Sequence, residues 1–151
     1  MHKEPYNFDK RDVKCYQFVS KGKNGAITKV VEFILIDSRG IFNLGFGDLL
    51  ANDKIDDLTV SNNGDIVKVF STIMHIINDF LTDYPTAKII FTGSTLRRTK
   101  LYQRILTTYF EVFKNKFVIT ALLEHEKGNL QEVAFDISNN LEYEAFFVKR
   151  R

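Results

Sequence analysis

The short run Ala87-Lys88-Ile89-Ile90-Phe91 limits what this chain can fold into more than any other stretch, because helical periodicity flanks it on both sides. Ahead of it, Ile66, Val69, Phe70, Ile73, Ile77, Phe80 and Leu81 recur every three to four residues, and after it Leu101, Ile105, Tyr109, Val112 and Phe113 do the same. A short run that is apolar on both faces reads as a central strand. If strands on either side of a helix share a sheet, they lie parallel and the crossover is right-handed. The middle of the sheet is therefore expected to be parallel.

The rest of the chain alternates strands with turn signals. Val13 to Ser20 alternates as a strand, and Lys21-Gly22-Lys23-Asn24-Gly25 is a turn whose Asn-Gly pair favours a hairpin. Ile27 to Ile36 is β-branched and aromatic, Asp37-Ser38-Arg39-Gly40 is a second turn, and Ile41 to Phe46 is a third strand. Gly45 and Gly47 point to a bulge or a tight exit there. The first helix follows the N-cap type residue Asp65 and stops at Tyr84-Pro85, with Lys68, Thr72, His75, Asp79 and Thr82 on its polar face. The second runs from Thr95 to about Lys114. Phe117 to Leu123 and Leu130 to Phe135 pair around a turn, and Tyr143 to Val148 is either a last strand or a docked tail. The expectation is one α+β domain over residues 1–151, with residues 1–11 loose. It holds a mixed, twisted sheet of about six to seven strands and two main helices, in the order β-β-β-α-β-α-β-β(-β).

Composition excludes several classes. Twenty-one basic against nineteen acidic residues leave a formal charge of +2, so any basic function is local. Cys15 is the only cysteine, which rules out an intrachain disulfide and reads as a small hydrophobe in a strand. The first residues lack an apolar signal core and no run is long enough to span a membrane, which points to the cytoplasm. His2, His75 and His125 show no ligand spacing, and the aspartates between 48 and 65 do not match a calcium loop, so no metal is expected. No motif calls for a resident cofactor.

One stretch carries a chemical signal. Gly93-Ser94-Thr95 follows the central strand and opens a helix carrying Arg97, Arg98, Lys100 and Arg104. Unpaired N–H groups at a helix start favour anions, whereas basic side chains there oppose the helix dipole unless something negative is bound. Arg98 and Tyr102 are four apart and share a helix face. A second helix start, Ser61-Asn62-Asn63-Gly64-Asp65, also follows a strand and is expected to line the same cleft. In this reading Ser94 and Thr95 supply caps and N–H groups, Arg97, Arg98 and Arg104 supply charge, and Tyr102 orients. The bland alternatives are ordinary capping, a solvated basic face, or arginines paired with the acidic loop before the first helix.

Two resemblances follow from these strings. Asn43-Leu44-Gly45-Phe46-Gly47-Asp48, Asp56-Asp57, Ser61 to Asp65, Gly93-Ser94-Thr95, Arg97-Arg98 and Leu101-Tyr102 together resemble a family of small uncharacterised bacterial proteins, mainly of Bacteroidota type. The element order is similar to that of GNAT-type acyltransferases. That likeness implies acyl-coenzyme A as cofactor and Tyr102 as general acid. The pyrophosphate pattern of such enzymes, R/Q-x-x-G-x-G/A, is replaced here by Ser61 to Asp65, with one glycine and an adverse carboxylate, and their N-terminal helices are missing. The leading expectation is thus a binding module whose cleft takes an anionic small molecule or a protein partner. The alternatives are a GNAT-like enzyme and a toxin-antitoxin component acting on RNA or on a partner protein.

Overall fold

The computed structural model describes residues 4–49, 55–56, 63–92, 96–138 and 141–151. These form one α+β domain. The strands are β1 (Phe8–Asp12), β2 (Cys15–Gly22), β3 (Gly25–Asp37), β4 (Ile41–Leu49), β5 (Ile55–Asp56), β6 (Lys88–Phe91), β7 (Phe117–Glu126), β8 (Asn129–Ala134) and β9 (Ala145–Arg150). The helices are α1 (Ile66–Asp83), α2 (Leu96–Thr108) and the short α3 (Phe110–Phe113). Eight strands run in the order β1-β2-β3-β4-β6-β9-β7-β8, and the two-residue β5 pairs with β4 off this path.

The expected meander is present, with one strand more at its start. Residues 1–11 are not a loose segment throughout, because Phe8–Asp12 pairs antiparallel with β2. The physical reason lies in α1. Thr72, on the helix face expected to be polar, is fully buried, and its hydroxyl accepts the Tyr6 backbone N–H at 2.9 Å while donating to the Lys68 carbonyl at 2.7 Å. Lys10 pairs with Asp79 at 3.1 Å and with Asp83 at 2.5 Å. Polar groups on that face thus hold the N-terminal segment across the helix.

β4 and β6 are parallel, as expected of two paired strands joined through a helix. The next expected parallel neighbour is replaced. β9 lies between β6 and β7 and is antiparallel to both. Its Ala145, Phe146, Phe147 and Val148 are all buried, the same doubly apolar pattern that marks β6. The last segment is therefore a central strand and not a docked tail. The second helical segment breaks at Tyr109, so α2 and α3 are separate.

The core lies between the sheet and the helices. Phe80 stacks on Phe33 with ring centroids 3.9 Å apart and meets Phe42 edge-on at 5.1 Å. Phe70 touches Tyr102, Phe113 and Phe91 at 5.9–6.4 Å, tying α1 to α2, α3 and β6. The β2–β3 turn uses Gly25 at a φ of 87°, where a side chain would be strained. β4 shows no register shift at Gly45 or Gly47, so the expected bulge is absent there. No helix among the described residues is long and apolar enough to cross a membrane.

Candidate functional site

β4 and β6 are paired only at Ile41–Lys88, Phe42–Ile89 and Asn43–Ile90. Beyond Asn43 the two strands part. β4 continues to Leu49, where Asp48 and Leu49 pair with β5. Among the described residues, Leu44 to Gly47 therefore have a ladder partner on the β3 side only. The parting opens a cavity of about 190 Å³. Leu44, Phe46 and Phe91 line it from the strands, Ile73 and Met74 from α1, and Arg98 and Tyr102 from α2.

The helical spacing of Arg98 and Tyr102 thus brings both into one cavity. Tyr102 is half-buried, and burial pushes its phenol up from the ordinary tyrosine value, while the nearby Arg98 charge opposes this. Among the described residues no hydrogen bond reaches the Tyr102 hydroxyl, so it stays available and protonated at neutral pH. Arg104 is exposed, and Lys100 pairs with Glu142 at 2.9 Å. Arg97 lies in α2, but its side chain falls outside the described residues, as do Ser61, Asn62, Gly93, Ser94 and Thr95.

Asn63, Gly64 and Asp65 engage a different neighbour. Asn63 is 3 % exposed, and its Oδ1 accepts the Asn24 N–H at 2.6 Å. Its Nδ2 donates to Ser20 Oγ and to the Gly25 carbonyl, both at 3.0 Å. Asp65 sits at the N-cap position of α1 yet makes no side-chain cap bond. Its carboxylate instead accepts from Ser20 Oγ at 2.5 Å and from the Tyr6 hydroxyl at 2.7 Å. Gly64 permits the connection with a φ of 78°. These residues strap the start of α1 to the β2–β3 hairpin, and none of the three lines the cavity.

Sequence reasoning missed the strap, although Ser20, Asn63 and Asp65 are the small polar types that bond locally to backbone. Their partners are forty or so residues apart in sequence, and no local pattern carries that information. It also missed Lys29, which is buried and ion-paired with Asp48 across β3 and β4. Cys15 is half-buried, and burial together with Glu32 and Asp12 raises its thiol, which disfavours a nucleophilic role. His75 is exposed on α1 and bonds to the Ser71 carbonyl at 2.8 Å. Among the described residues no cluster of three or more His, Cys, Asp or Glu is placed to hold a metal.

Fold and cavity define a small α+β protein whose mixed sheet holds, among the described residues, one parallel pair with the cavity beyond its last paired residues. The chain belongs to the family of unknown function DUF6934, whose profile it matches over residues 2–151. No curated protein and no solved structure matches it. The expected resemblance to a family without an assigned activity holds, while the match carries neither a bacterial source nor a likeness to acyltransferases.

Proposed function

We propose that the cleft between β4 and β6 binds an anionic small molecule. The observation that carries this reading is the parting of the parallel pair after Asn43–Ile90, which leaves a cavity lined by both Arg98 and Tyr102. Ligands in open α/β sheets sit beyond the carboxyl ends of parallel strands, and this cavity occupies that place. Arg98 supplies the positive charge and a planar donor fork, Tyr102 supplies an orienting hydroxyl, and Leu44, Phe46 and Phe91 supply apolar walls. A thermal-shift screen of sulfate, nucleotides and coenzyme A tests it. A ligand at a hundredfold excess over Kd stabilises by about 2.7 kcal/mol, and Arg98→Ala removes that response. No stabilisation by any of these anions overturns the reading and leaves a protein partner as the occupant.

A second reading, acyl transfer from acyl-coenzyme A, is favoured by the edge of β4. Leu44 to Gly47 present backbone amides without a described ladder partner, and these suit an extended arm that itself carries amides. The start of α1 is engaged with the hairpin, so the anionic end of such a ligand falls to Arg98. In this chemistry an acceptor amine attacks the thioester carbonyl, the C–S bond breaks, the departing sulfur takes the proton of Tyr102, and the surplus proton on the new amide nitrogen returns to the Tyr102 phenolate. Thiol release from acetyl-coenzyme A with a panel of amines is the assay. Loss of a general acid in Tyr102→Phe slows it by about a hundredfold or more, with binding retained. Binding without turnover by any amine leaves the first reading alone.

A further inference from the structure

A larger concavity lies on the other side of Phe70 from the cleft. It encloses about 270 Å³ between α1 and the α2–α3 pair. Phe70 and Met74 form the partition, since both line the cleft and this groove. Ile105, Val112 and Phe113 complete an apolar floor. Val112 is 44 % exposed, so this floor stands open to solvent.

The exposed polar side chains of the groove are His75, Asn78 and Lys116. The Nδ1 of His75 faces the Ser71 carbonyl at 2.8 Å. A carbonyl only accepts, so Nδ1 carries the proton and Nε2 is left for another partner. Lys116 lines the same groove and makes no ion pair among the described residues. The surrounding charge is mostly positive. Arg151 bonds to the carbonyls of Lys114 at 2.6 Å and Phe117 at 3.4 Å, and its backbone N–H reaches the Lys116 carbonyl at 3.1 Å. Glu111, on α3, is already paired with Lys114 at 2.6 Å.

An apolar trough with an exposed cation in its lining matches one ligand chemistry. We propose that the groove binds a single-chain fatty carboxylate, its chain over Phe70, Met74, Ile105 and Phe113 and its carboxylate on Lys116. The volume lies just under the range of about 300–1,000 Å³ usual for larger ligands, which favours one short chain over a two-tailed lipid. This site is independent of the cleft and of its proposed anion.

Decanoate is the probe, titrated calorimetrically into the full chain, with decanol as the neutral control. Lys116 and Val112 are exposed, so Lys116→Ala and Val112→Glu leave the core intact. Decanoate is expected to bind at one site. Lys116→Ala weakens it about threefold to fivefold, as an exposed ion pair allows, and Val112→Glu weakens it about tenfold or more by charge repulsion in the trough. Decanol binds more weakly and does not respond to Lys116→Ala, and Arg98→Ala leaves decanoate binding unchanged. The proposal is overturned by the absence of saturable one-site binding at millimolar decanoate. It is equally overturned if either groove variant leaves the affinity unaltered, or if Arg98→Ala abolishes binding and so places the probe in the cleft.

Discussion

Removing the Asn63 side chain should loosen the whole β2–β3 hairpin from α1. Asn63→Ala deletes three hydrogen bonds, to the Asn24 N–H at 2.6 Å and to Ser20 Oγ and the Gly25 carbonyl at 3.0 Å. Each contributes about 0.5–1.5 kcal/mol, and the turn end is near enough to solvent for water to recover part of the loss, so about 2–3 kcal/mol is expected. For a chain of this size that lowers Tm by about 4–12 °C. Asn63→Asp keeps the volume and the Oδ1 acceptor but should be at least as damaging. The Ser20 hydroxyl has one proton, already donated to Asp65, so the introduced carboxylate meets an oxygen that cannot satisfy it. It also places an acceptor against the Gly25 carbonyl. Gly22→Ala attacks the same strap from the other side, because a Cβ there comes within 2.0 Å of the Asn63 carbonyl oxygen. Paired with Asn63→Ala, it should lose less than the sum of the single effects, since both loosen the same strap. Urea unfolding followed by circular dichroism reads all four proteins. A loss below about 0.5 kcal/mol for Asn63→Ala, typical of an ordinary surface change, would refute the strap.

Three further outcomes are expected. The Tyr16 hydroxyl donates to Asp79 at 2.7 Å and holds its carboxyl below the usual range, with Lys10 adding to this against burial. Because the folded-state value is depressed, the stabilisation is present above the unfolded aspartate pKa of about 4 and is lost as pH falls through the folded value. Tyr16→Phe should therefore raise the Asp79 titration midpoint seen by NMR, and an unchanged midpoint counts against the assignment. Phe70→Ala removes the ring shared by Tyr102, Phe91 and Phe113 and should cost about 3–5 kcal/mol by urea unfolding. Tyr102→Phe should alter stability by no more than about 0.5 kcal/mol, as no described hydrogen bond is lost, and a larger loss would show that the hydroxyl serves the fold.

Local order was legible because it depends on neighbours in sequence. The alternation in β2, the β-branched run of β3, the Asn24-Gly25 turn, the apolar stripe of α1 and the stop at Tyr84-Pro85 all express backbone and side-chain preferences within a few residues. The pairing of Arg98 with Tyr102 was legible for the same reason, since four residues along a helix bring side chains to one face. Even the parallel sense of β4 and β6 follows from the helix that lies between them in sequence, since it carries the chain back along the sheet.

Other features depend on contacts that no local pattern specifies. Ala145 to Val148 is apolar on both faces, which states that it is buried, but only the packed sheet decides that it enters between β6 and β7. Thr72 is polar by composition and becomes core because the N-terminal segment crosses it and supplies a hydrogen bond. Asp65 has the chemistry of a cap, yet its carboxylate is taken by the hydroxyls of Ser20 on β2 and of Tyr6 ahead of β1. The parting of β4 from β6 is of this kind too: α1 and α2 bring Ile73, Met74, Arg98 and Tyr102 to the gap, and the cavity exists only where these elements meet. The sequence alone determined most of the strands and the apolar stripes of the helices, because propensity and periodicity act over a few residues, but not β1, the break at Tyr109 or the burial of Thr72. The tertiary structure decided which strand became central, which polar groups were drawn inward and where the sheet opens, because those depend on burial energy gained between residues far apart in the chain.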